Sequence, residues 1–153
     1  MDTEEIRRLL HHLFRHSPCL FLGVYAADNL PSPSFICANT PCCYVSNTDP
    51  KGWPGKHWVA IYHSTNNALE FFDSFAQHPS NLGFKFHASF QVHYNHRHIQ
   101  SISSHVCAHY CIFFLYYRSL GQSLNQISRF LSKMPHSKSD SFVYSFVNKI
   151  KRS

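Results

Sequence analysis

His57-Trp58-Val59-Ala60-Ile61-Tyr62, then Asn66-Asn67, then Ala68-Leu69-Glu70-Phe71-Phe72-Asp73 is the stretch on which the fold turns. Both outer segments are short and rich in aromatic and branched residues. Such side chains suit a pleated, half-buried surface. The Asn66-Asn67 pair between them is a turn signal, so the two segments read as a β-hairpin. Antiparallel pairing across that turn brings the start of the first strand beside the end of the second. His57 and Asp73, sixteen residues apart, are therefore expected to be neighbours.

Outward from the hairpin, the pattern changes to helical spacing at both ends. Asp2-x-x-Glu5 has the form of a helix-start capping box. Ile6, Leu9, Leu10, Leu13 and Phe14 then fall on one helical face that ends before Pro18. On the C-terminal side, residues 107–118 have helical length, with an apolar face at Ile112, Leu115 and Tyr116. Leu124, Ile127 and Leu131 mark another helix, stopped near Pro135. Phe142, Val143, Phe146, Val147 and Ile150 mark a last one over 140–150. Between these lie further short apolar segments. Residues 19–25 read as a strand, 28–34 as a loop, 34–38 and 42–46 as two strand-like runs, 47–55 as a surface loop and 77–83 as a loop. One more strand is expected within 86–98. Strands in the middle with helices at both ends define an α+β domain spanning residues 1–153.

Composition narrows the function. With 153 residues, 44% of them hydrophobic and 16% aromatic, the chain has the composition of a folded domain, not a disordered one. Its apolar runs are far shorter than the roughly 20 residues a membrane span needs. The N-terminus, Met1-Asp2-Thr3-Glu4-Glu5, lacks the layout of a secretory signal, so the six cysteines are expected in a reducing compartment. Catalysis or metal binding is then the question to put to them. The net charge is +6 and there are 13 histidines, which favours contact with polyanions.

Cys107 stands apart among the cysteines because it opens a helix after the polar stretch Gln100-Ser101-Ile102-Ser103-Ser104-His105. A helix N-terminus offers free amides and a positive dipole end, both of which favour a thiolate. Its own backbone amide could face an oxyanion. Cys111 lies one turn inside the same helix and is expected to be buried and inert. Cys37, Cys42 and Cys43 fall in strand-like runs, and Cys19 follows Pro18. A nucleophilic thiol needs a base and a group that orients the base. His57 with Asp73 supplies both. His105 and His109 are rival bases, close to Cys107 in sequence but without a neighbouring acid. Trp58 is either core or a shield for His57.

The order His57, Asp73, Gln100, Cys107 resembles that of the adenovirus-type cysteine endopeptidases, the adenain family, and of their relatives in large viral DNA elements. Several segments carry the likeness over nearly the whole chain. Phe21-Leu22-Gly23-Val24-Tyr25 resembles an N-terminal Phe-Leu-Gly stretch. Gly55-Lys56-His57-Trp58-Val59-Ala60 resembles a Gly-x-His-Trp-x-Ala motif. Phe71-Phe72-Asp73-Ser74-Phe75 resembles a Phe-acid-x-Phe motif, with aspartate where adenain has glutamate. Gln100 and Cys107 are seven residues apart, as in that family, and residues 143–147 resemble its last conserved helix.

The resemblance implies an adenain-like fold, a central mixed sheet flanked by helices. It implies Cys107 as nucleophile, His57 as base, Asp73 as orienter and Gln100 as oxyanion donor. It implies cleavage of viral precursor polypeptides after small residues such as glycine, by a monomer located in virions and the host nucleus and not secreted. No cofactor is needed for the chemistry, though DNA or a viral peptide stimulates the family's type member. Two departures stand out. Ala108-His109 follows the nucleophile where the family has glycine, although alanine is small enough for a tight helix start. No cysteine occurs between Phe86 and Gln100 to receive a disulfide-linked peptide.

Two other readings use the same residues. The wider superfamily that removes ubiquitin- or SUMO-like modifiers shares the His, Asp, Gln, Cys order, so a deconjugating protease is one alternative. A non-enzymatic nucleic-acid or zinc-binding module is the other, with Cys107, His109, Cys111 and His105 as the closest-spaced soft ligands. The second cysteine or histidine pair usual in a structural zinc site is missing.

Overall fold

The hairpin forms the centre of the sheet in a computed structural model that describes residues 1–48 and 57–153. Most of the loop expected over 47–55, and Gly55-Lys56 of the histidine motif, lie outside the described residues. The first strand of the hairpin is β3 (Trp58–His63) and the second is β4 (Ala68–Phe72). They pair antiparallel, with Ala60 opposite Phe72 and Tyr62 opposite Glu70. Strands β1 (Leu20–Ala26), β2 (Cys42–Asn47) and β5 (Gln91–Tyr94) complete a five-stranded sheet in the order β1-β2-β3-β4-β5. The outer pairs, β1 with β2 and β4 with β5, are parallel, so the sheet is mixed.

Helices flank this sheet, giving an α+β architecture. Helix α1 (Thr3–Phe14) starts where Asp2 accepts a hydrogen bond from the Glu5 amide at 2.8 Å, and it buries Ile6, Leu10 and Phe14. Helices α3 (Cys107–Ser119), α4 (Leu124–Ser132) and α5 (His136–Lys151) follow the sheet in sequence. Along β3, Trp58, Ala60 and Tyr62 join the core beneath α1 and α3, while Val59 and Ile61 join a second core on the opposite face. That alternation is the strand period of two. It leaves β3 buried along its whole length. Trp58 is thus a core residue, 3% exposed.

Three sequence expectations are corrected. Residues 34–37, read within a strand-like run over 34–38, belong instead to a short helix, α2 (Pro33–Cys37). Ser32 caps it by accepting from the Phe35 amide, and Pro33 at the first turn has the backbone angle a helix start requires. The last helix begins at His136, directly after Pro135, rather than at Asp140. Helix α3 is not buried along one face only. Residues 107–115 are all buried, with Phe114 stacked on Phe72 of β4 at 4.6 Å. A helix covered on every side shows no apolar stripe, which is why its pattern underreports its burial.

Gly23 sits at an irregularity in the β1–β2 register, between Phe21 and Val24, with φ at +139°. A side chain is strained there, so this position in the Phe-Leu-Gly stretch calls for glycine.

Arg118, at the end of α3, ties the helix to the sheet. Its guanidinium meets Glu70 of β4 through two hydrogen bonds, 2.8 and 3.0 Å, and lies 4.4 Å over the Tyr62 ring. Glu70→Gln leaves a partly buried guanidinium without its counter-charge. In urea denaturation the expected loss is about 1–3 kcal/mol. A loss below about 0.5 kcal/mol, typical of exposed pairs, would contradict this.

Candidate active site

The pairing of β3 with β4 puts His57, just ahead of β3, beside Asp73, just past β4. Their side chains meet at 2.6 Å, His57 Nε2 to Asp73 Oδ1. Asp73 is fully buried, and its carboxylate also accepts the Phe75 amide on Oδ1 at 3.0 Å and the Gln77 amide on Oδ2 at 3.1 Å. The turn that aims these amides holds Ala76 at φ 56°, a conformation disfavoured for residues other than glycine. Asn95, immediately after β5, grips the backbone of Asp73 on both sides. Its Oδ1 accepts the Asp73 amide at 2.9 Å, and its Nδ2 donates to the Asp73 carbonyl at 2.7 Å.

With Nε2 committed to Asp73, the other ring nitrogen of His57 is left for Cys107. Burial pulls the His57 pKa down. The hydrogen bonds with Asp73 and Cys107, together with their charges, outweigh that and raise it from 6.5 to about 9. The ring is therefore a cation at neutral pH, held between a carboxylate and a sulfur. Phe75 covers it, with ring centroids 5.1 Å apart. Cys107 is the first residue of α3 and is 7% exposed. The cap position before it is Val106, which makes no side-chain capping bond.

Gln100 is 1% exposed, not a surface glutamine. Its Nε2 donates to the Ser104 carbonyl and hydroxyl, both at 3.1 Å, and its Oε1 accepts from Ser74 at 2.6 Å. The segment that follows is anchored from α5. Asp140 Oδ1 accepts the Ser101 amide at 3.4 Å and the Tyr110 hydroxyl at 2.6 Å.

The competing thiols lack such surroundings. Cys111 is buried, and burial pushes its pKa well up, with the charges of Cys107 and Asp73 adding to the rise. Burial likewise pushes Cys42 up to about 12 and raises Cys43. Cys19 is lowered, chiefly by a hydrogen bond from Cys43, with help from Arg118 and Tyr62 against burial. No histidine acts on it, and it is 2% exposed. Cys37 is exposed and lies near the Asn66 carbonyl. Among the described residues, no group of three or more His, Cys, Asp or Glu side chains could hold a metal ion.

Of the rival bases, His105 is exposed. His109, the other, does not face solvent. It is buried, stacked on Tyr144 at 5.3 Å, and its Nδ1 has no hydrogen-bond partner. Burial, with smaller effects from the N-terminal amine and Lys151, lowers its pKa to about 4, too low for a base near neutrality.

These two histidines set opposite slopes on stability. His57, raised above 6.5, contributes stability that is complete below pH 6.5 and lost as pH rises through about 9. His109, lowered below 6.5, prefers to stay neutral in the folded chain. Stability is therefore lost as pH falls from 6.5 towards 4. The expected result in unfolding titrations is a maximum near pH 6.5. His109→Phe should remove about 1–2 kcal/mol of the loss between pH 6.5 and 5 and leave the alkaline limb intact. An unchanged acid limb in that variant would contradict the assignment.

Sequence reasoning missed Ser74, Asn95 and Ser104. Ser74 directly follows Asp73 and could have been suspected. Asn95 depends on β5 pairing parallel to β4, a register that no local pattern reveals. No protein-family model matches the chain, and no curated protein matches it. No described helix is long and apolar enough to cross a membrane.

Proposed function

We propose that the chain is a cysteine endopeptidase of the adenain type that cleaves viral precursor polypeptides. The observation that carries this reading is the line Asp73–His57–Cys107, in which a buried carboxylate holds the imidazole 2.6 Å away and the bonds to Asp73 and Cys107 favour the protonated ring beside the sulfur. A mixed sheet with the cysteine-bearing helix packed against its central strand agrees with the fold implied by the resemblance.

In the proposed reaction, the reactive form is the pair in which the Cys107 proton already rests on His57, and the sulfur attacks the peptide carbonyl carbon. The carbonyl π electrons move to oxygen, and that oxyanion is held by the Cys107 amide and by a Gln100 N–H that leaves Ser104 to reach it. The tetrahedral adduct collapses, the carbon–nitrogen bond breaks, and His57 returns the proton to the leaving amine. Water then attacks the thioester, losing a proton to His57, and the acid is released with Cys107 restored. Asp73 holds the ring in one orientation throughout. Residues 120–153 carry six Lys or Arg and one acid, Asp140, which is turned inward. That asymmetry supports contact with non-specific DNA as a stimulating partner.

The test is turnover of a fluorogenic peptide amide ending in Gly-Gly, in parallel with a ubiquitin-like probe carrying a reactive C-terminus. Multiple turnovers of the peptide that depend on His57 are expected. Labelling by the modifier probe without peptide turnover would move the reading to a deconjugating protease. Reaction with neither would contradict both.

A further inference from the structure

Ser74 lies between the two halves of the site. It follows Asp73 in the chain, and its hydroxyl donates to Gln100 Oε1 at 2.6 Å, with both side chains buried. Its carbonyl accepts the Ile99 amide at 2.8 Å and the Gln100 amide at 3.1 Å. The carbonyl of Ser104 can only accept, so the end of the Gln100 amide that faces it at 3.1 Å must be the NH2 group. Oε1 is then the end that faces Ser74, and the serine hydroxyl is its donor. Asp73-Ser74 thus sets two groups at once: the aspartate orients the base, and the serine fixes both the backbone position and the amide orientation of the glutamine.

We propose that Ser74 is a positioning residue that locks the Gln100 carboxamide, before substrate arrives, with its NH2 group turned toward the segment leading into Cys107. The proposal rests on the cysteine-protease reading. Its physical basis is preorganisation: the NH2 end of the amide is already sorted from its oxygen end, so only an N–H now on Ser104 has to pass to the developing charge. Without the Ser74 hydroxyl, Oε1 is a buried acceptor with no donor, and the amide gains a reason to rotate.

The experiment compares wild type, Ser74→Ala and Ser74→Cys by three readouts. These are kcat and KM on the Gly-Gly peptide amide, affinity for a peptide aldehyde, and the rate of alkylation by iodoacetamide. The aldehyde forms a tetrahedral adduct that uses the oxyanion donors. Iodoacetamide is attacked by sulfur at a saturated carbon, losing iodide, and does not use them. In Ser74→Ala, kcat and aldehyde affinity should both fall about 10- to 100-fold, less than the loss of an oxyanion donor itself. KM and the alkylation rate should stay within about 2-fold, because His57 and Asp73 are undisturbed. Ser74→Cys keeps the shape with a weaker donor and should show a smaller fall. This variant carries the test if the alanine variant does not fold. On a Gln100→Ala background, Ser74→Ala should add no further loss of kcat.

Equal loss in all three readouts would overturn the proposal in favour of a general structural role. So would no change in any of them, or a full extra loss on the Gln100→Ala background. Wild-type protein that neither turns over peptide nor binds the aldehyde would overturn the protease reading, and this proposal with it.

Discussion

Cys107→Ala is expected to lower peptide turnover by on the order of 10⁵- to 10⁶-fold, to the level left by binding alone, while the protein stays folded. The sulfur is the atom that attacks, and no neighbour can replace it. Cys111, one turn along α3, is the internal control. It is 1% exposed, and burial holds its thiol well above the ordinary range. Cys111→Ala should keep kcat and KM within a few-fold and cost about 1 kcal/mol of stability, as trimming a packed side chain usually does. Steady-state kinetics on both variants, with urea denaturation as the folding check, decide the matter. Residual turnover above a hundredth of wild type in Cys107→Ala would remove Cys107 from the nucleophile role.

Asp73→Asn should produce the second-largest loss, on the order of 10³- to 10⁴-fold in kcat. The carboxylate accepts three hydrogen bonds, from His57, Phe75 and Gln77, across its two oxygens. An amide has one oxygen, so its NH2 end must face a donor. If that donor is the His57 ring, the imidazole turns or changes tautomer and no longer presents the right nitrogen to Cys107. If it is the backbone, the turn at Ala76 must give way. The variant also loses the negative charge that helps raise His57 to about 9, so the ring should titrate lower. Nuclear magnetic resonance of the imidazole measures that directly. An unchanged His57 titration in Asp73→Asn, with kcat within 10-fold of wild type, would show that Asp73 does not act through the histidine.

The hairpin was legible because local signals agreed with the fold. Branched and aromatic residues flank Asn66-Asn67, and the register that follows brings His57 to Asp73. Helix α1 was legible for the same reason, since Asp2 caps the helix as its spacing from Glu5 suggests. Residues 34–37 were misread because Ile36 and Cys37 look like strand residues in isolation. The cap at Ser32 and Pro33 decided otherwise. Burial of α3 could not be read from an apolar stripe, because a helix surrounded by sheet and helices has none.

At the site, the sequence order identified candidate partners, but their supports came from tertiary contacts. Asn95 reaches Asp73 only because β5 lies parallel to β4, and Ser104 reaches Gln100 through a local turn. The burial of His109 has no signal near Cys107 in the sequence, because it is α5 that closes over it with Tyr144.

The most direct measurement is mass-spectrometric mapping of the native protein after reaction with limiting iodoacetamide at pH 7. Accessibility alone would direct the reagent to Cys37, the one exposed cysteine of the six. The expected result is a dominant adduct on Cys107, with the preference abolished in His57→Ala. An adduct chiefly on Cys37 or Cys19, with Cys107 unmodified, would contradict an activated Cys107–His57 pair.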